Sequence, residues 1–122
     1  MKKLIAVCLA IMGIFAGSSA HAVNGTVKGK VEFIRTHDAT QIPRWSPPAF
    51  WFTLKGVSKA GACPKFVDGK ILFVAKDTQA FNLVSDALNS GKEVAVAFND
   101  EVLASGWCAS SYITVGSPPP LY

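Results

Sequence analysis

The chain has 122 residues, half of them hydrophobic, with 12 basic and 8 acidic side chains and a formal charge of +4. Two of the cations, Lys2 and Lys3, lie in an N-terminal leader; without them 10 basic residues face the same 8 acids and the charge falls to +2. So small a balance excludes non-specific phosphate binding as the main role, because nucleic-acid affinity is built from many neutralised phosphates.

The leader runs from a basic start (Met1, Lys2, Lys3) through an almost wholly apolar stretch, residues 4–17, to the small-residue triplet Ala20, His21, Ala22. This is the pattern of a secretory signal peptide over residues 1–22, which predicts an exported protein, periplasmic or secreted. Its apolar core is shorter than the roughly 20 residues a spanning helix needs, and no comparable run follows, so no membrane span is expected. Cys8 lies inside that core and leaves with it. Residues 23–122 remain, 100 residues (122 less 22), the size of one small domain.

Residues 25–36 alternate, with Val27, Gly29, Val31 and Phe33 on one side and Lys28, Lys30 and Glu32 on the other, which predicts a half-buried strand. Gly29 on the inward side would let the strand bend or another backbone approach, as barrels require. Residues 37–48 are polar and proline-rich and read as a loop carrying Arg44 and Trp45. Alternation returns over 49–54, with Phe50, Phe52 and Leu54 inward and Trp51 and Thr53 outward. Residues 56–69, with three glycines, Pro64 and Cys63, form a second long connection, and Lys55, Lys59 and Lys65 line it as a solvated rim.

Residues 70–98 organise the rest: an apolar run (Ile71, Leu72, Phe73, Val74), a helix and a second apolar run, 94–98. Asp77 suits an N-cap and Gly91 a left-handed C-terminal cap. Between them Ala80, Phe81, Val84, Ala87 and Leu88 recur at three- and four-residue spacing and form one apolar face. Val94, Val96 and Phe98 point inward. Residues 99–106 read as a turn region, 107–115 as the last strand, and Pro118, Pro119 and Pro120 end regular structure.

The remaining cysteines, Cys63 and Cys108, stand 45 positions apart in an exported domain and read as one disulfide. A metal-binding pair would need further ligands, and only His37 is at hand, so neither metal nor cofactor is expected. The order of three strands, a helix and two strands in about 90 residues points to a mainly β fold, the five-stranded oligonucleotide/oligosaccharide-binding (OB) barrel with its helix between strands 3 and 4.

Nothing here marks an enzyme. His37 is followed by Asp38, but adjacency does not set a carboxylate behind an imidazole, and no motif selects a nucleophile. Asp100 and Glu101 are sequence neighbours that point apart on a turn. Binding chemistry is better represented. Trp45, beside Arg44 in the proline-bracketed loop, is the best exposed candidate, and Trp51 stands outward on its strand. Lys28 and Lys30 share one face that suits an anionic sugar or lipid headgroup, or else simply forms the solvated side of an edge strand. Trp107, next to Cys108, reads as a core residue packed on the bridge.

Several stretches together resemble the B subunit of subtilase cytotoxin and its secreted relatives. They are Gly29-Lys30-Val31, the aromatic strand Phe50-Trp51-Phe52-Thr53-Leu54-Lys55-Gly56, the small-residue loop ending in Cys63, the helix tail Ala87-Leu88-Asn89-Ser90-Gly91-Lys92, Val94-Ala95-Val96 and the late Cys108. The resemblance implies a glycan-binding subunit that assembles as a homopentamer and delivers a separate toxic A subunit. In that family a small hydroxyl residue before the first-strand glycine helps hold sialic acid; here that place is Lys28, so the specific pocket does not transfer. The residues themselves leave a second reading open, a monomeric periplasmic OB-fold module binding a small ligand or acting in envelope stress.

Overall fold

The computed structural model describes residues 25–116; the expected leader and the three terminal prolines lie outside the described residues. Five strands, β1 (Gly25–Arg35), β2 (Phe50–Leu54), β3 (Phe73–Ala75), β4 (Glu93–Ala104) and β5 (Trp107–Val115), close in the order β1-β2-β3-β5-β4, with α1 (Thr78–Ser90) between β3 and β4. The β3–β5 pairing is parallel and the other four are antiparallel. This is the OB barrel that the order of elements predicts. Among the described residues no helix is long and apolar enough to cross a membrane.

The first strand serves two neighbours. Gly25 to Lys30 pair with β4, and Val31 to Arg35 pair with β2. At the changeover Gly29 lies so close to β2 that a Cβ there would stand 3.1 Å from both Leu54 Cβ and the Lys55 carbonyl oxygen. The strand is therefore not an edge, which corrects that reading of Lys28 and Lys30: their exposure comes from facing outward on a closed sheet. A bulge between Val31 and Phe33 then shifts the alternation by one residue. Val31 and Ile34 pack on the barrel core, and Phe33, expected inward, turns to the outer face instead.

The interior is filled by Phe50, Phe52, Leu54, Phe73, Val94, Val96 and Phe98, with α1 contributing Val84 and Ala87. Each of the valine, leucine and phenylalanine side chains stabilises the fold by about 1.5–3 kcal/mol through removal from water. The helix starts where expected, the Asp77 carboxylate accepting from the Ala80 amide at 3.3 Å, and ends at Gly91 with φ 72°. Phe81 meets Phe50 edge to face at 5.3 Å, which fastens the helix over one barrel end. Leu88, assigned from its spacing to the buried face, is 39% exposed and lies outside it.

Two more expectations are corrected at the far end. Residues 99–104 are not a turn: β4 runs on to Ala104 through a register shift between Asn99 and Leu103, and the reversal is only Ser105 and Gly106, both at positive φ (53° and 87°). Asp100 is held there by a distant partner, accepting from the Ala62 amide at 2.7 Å. Cys63 and Cys108 form the disulfide, with Cα atoms 5.3 Å apart, and tie the 56–69 connection to β5. Cys108 faces inward, so by strand alternation its neighbour Trp107 faces out and packs on the outer cluster rather than on the bridge.

Candidate functional site

The outer face of β1, β2, β3 and β5 carries a second apolar cluster, separate from the barrel core. Trp51, Leu72 and Val74 are buried there, with Phe33, Trp45, Phe66, Ala104 and Trp107 packed around them. Outward alternation on β2 and β3 supplies Trp51 and Val74, the β1 bulge supplies Phe33, and the two long connections supply Trp45 and Phe66. The rings meet edge to face: Trp45–Trp51 at 4.8 Å, Trp51–Trp107 at 6.2 Å and Phe66–Trp107 at 5.6 Å between centroids.

His37 joins this cluster from the start of the loop, 5.1 Å from Trp45 and 5.4 Å from Trp51. Its neighbour Asp38 turns away. One Asp38 carboxylate oxygen accepts from the Thr40 hydroxyl at 2.6 Å and from the Thr40 amide at 2.7 Å, and these donors hold the carboxyl below the usual carboxylate range. His37 Nδ1, Trp45 Nε1 and Trp51 Nε1 are all buried without a hydrogen-bond partner. Three orphaned nitrogens on three touching rings are unusual, since buried polar atoms are nearly always paired.

Arginines flank the rings. The Arg44 guanidinium lies 5.0 Å from the Trp45 centroid, and that of Arg35 lies 5.5 Å from Phe33 and 5.7 Å from Phe66. Among the described residues neither has a carboxylate partner. Of the two nearest acids in sequence, Glu32 is engaged with Lys70 at 3.3 Å and with the Thr53 hydroxyl at 3.3 Å, and Asp38 is engaged with Thr40. The patch is thus aromatic at its centre and cationic at its margin, a composition that stacks on flat apolar faces and attracts anions.

Of the residues singled out in the sequence, Trp45 and Trp51 come together here, Trp45 half-buried and Trp51 only 3% exposed beneath it. Lys28 and Lys30 are exposed on the other half of β1. Neither lysine belongs to the aromatic cluster, and Lys30 is five residues from Arg35, roughly 16 Å along an extended strand. Arg35, Phe33 and Phe66 escaped the sequence reading. The bulge hid the orientation of Phe33 and Arg35, and Phe66 lies in a connection with no periodicity to reveal its face. Among the described residues, no three His, Cys, Asp or Glu side chains gather as a metal-holding group. No family model, no curated protein and no solved structure matches the chain.

Proposed function

We propose that this chain is an exported, non-catalytic carbohydrate-binding protein whose ligand face is the outer aromatic patch. The observation that carries the reading is the tryptophan–arginine composition of that patch. Trp45 rests on Trp51 and His37, while Arg44 and Arg35 flank the rings without carboxylate partners among the described residues. A pyranose offers an apolar C–H face to an indole and a rim of oxygens to N–H donors, and an acidic sugar adds a charge that guanidinium groups pair with. In OB barrels this side of the sheet, with the loop after the first strand, is a common ligand face. The test is a glycan array probed with the purified protein: binding to a structurally related set of sugars is expected, and uniform absence of binding overturns the reading.

A ring-forming delivery subunit for a toxic partner is the fuller form of the proposal, and the resemblance to the subtilase cytotoxin B subunit supports it. Exposed apolar side chains next to the patch suit a subunit contact, Val67 at 92% exposure and Leu103 at 42%. Light scattering separates this from a monomeric periplasmic module: a mass about five times that of the chain supports the ring, because closed assembly needs a surface devoted to it.

A further inference from the structure

We propose that residues 37–48 form a lid over a sugar site between Trp45 and Trp51. The inference rests on the carbohydrate reading above and specifies where and how the sugar is held. Its first support is the way the loop is fastened. The Gln41 and Ile42 amides donate to the Asp38 carbonyl, Trp45 to Ile42, Ser46 to Pro43 and Ala49 to Ser46, while Asp38 binds Thr40. All the hydrogen bonds described for the loop close within residues 38–49. Its hydrogen bonds are thus local, and the rings of His37 and Trp45 rest on Trp51 of the sheet.

The second support is the set of orphaned nitrogens. His37 Nδ1 and the Nε1 atoms of Trp45 and Trp51 belong to three rings that touch one another where the loop joins the sheet, and all three atoms are buried without a partner. An unpaired buried donor costs about 1–3 kcal/mol, so the closed loop is held down less firmly than its ring contacts alone suggest. An indole N–H donates and never accepts, so both tryptophans require an acceptor. A purely apolar ligand would leave them unpaired, and a cation would be repelled by the N–H edges. A pyranose meets both needs, stacking its C–H face on an indole and presenting hydroxyl oxygens to the N–H groups.

The third support is room to move. A crevice of about 200 Å³ lies behind the loop's far end, between Pro47 and Pro48 on one side and Thr78 and Phe81 of α1 on the other. The loop's Pro47–Pro48 end is therefore not packed tightly against the helix.

The test uses the protein expressed in full, processed by the cell and labelled with nitrogen-15. Hydrogen exchange of the Trp45 and Trp51 indole protons is compared with that of the β2 amides. Lid opening is sub-global, so both indole protons should exchange together and at least about 100-fold faster than the amides. A glycan selected on the array should slow that exchange at least tenfold. Trp51→Phe keeps a ring but removes the donor, and Trp45→Phe does the same on the loop; each should weaken glycan binding about tenfold or more while the circular dichroism spectrum is kept. If the indole protons exchange no faster than the amides, trapped water satisfies them, the loop is fixed, and the inference is overturned. If glycans bind but neither phenylalanine variant weakens binding, the lid site is wrong while the carbohydrate reading stands. If no glycan binds, both fall.

Discussion

The barrel seam most dependent on covalent support lies between β3 and β5. That parallel pairing rests on only two registered pairs, Phe73 with Cys108 and Val74 with Ala109, whereas β4 and β5 pair along most of their length. The disulfide emerges from this seam, since Cys108 is itself one of the paired residues and Cys63 anchors the preceding connection to it. Replacing both cysteines with alanine (C63A/C108A) avoids leaving a lone buried thiol. The bridge closes a loop spanning 45 positions, which on the chain-entropy estimate stabilises the fold by about 4 kcal/mol. At about 4–8 °C per kcal/mol for a domain this size, the melting midpoint should fall by at least about 16 °C. Calorimetry of wild type and variant measures it directly. A fall of less than about 5 °C would refute the reasoning, showing that the unfolded chain gains little freedom or that the seam holds without the bridge.

Three other perturbations probe local claims. Gly29→Val pushes a branched side chain against Leu54 Cβ and the Lys55 carbonyl, both already 3.1 Å from a bare Cβ; overpacking should cost about 1–3 kcal/mol in urea unfolding, and an unchanged midpoint would mean β1 and β2 separate easily. Asp77→Ala removes the acceptor for the Ala80 amide and should destabilise by about 1 kcal/mol, read by the same titration. Thr40→Ala removes the hydroxyl that holds the Asp38 carboxyl low. A depressed folded value contributes stability above the unfolded pKa and loses it as pH falls through the folded one. The variant should therefore be the less stable at about pH 7, with the gap closing by about pH 2, and a gap constant across that range would contradict the assignment.

The parts of the fold legible in the sequence are those encoded by near neighbours. Asp77 and Gly91 mark the helix ends because capping involves groups three or four residues away. Phe50, Phe52 and Leu54 reveal their face because β2 alternates without interruption. What could not be read depends on distant partners. The bulge that turns Phe33 outward exists only in the pairing of β1 with β2, and β4 extends past Asn99 where Asp100 meets Ala62, 38 positions away. Trp107 is a different case, since its orientation follows from an inward Cys108 and strand alternation, and only its adjacency to the bridge obscured that. The outer patch gathers residues 33, 45, 51, 66 and 107. No spacing in the chain links them, so Trp45 and Trp51 could be singled out separately but not as touching rings.

A sugar held on the outer aromatic face, as proposed above, would perturb the nuclei that line it. Chemical-shift mapping of the nitrogen-15-labelled protein, titrated with the glycan bound best on the array, tests this placement most directly. The largest shifts should fall on the indole signals of Trp45, Trp51 and Trp107 and on the backbone of Phe33, Arg35, His37 and Phe66. Shifts confined to Lys28, Lys30 and their β4 neighbours, or to α1, would contradict it.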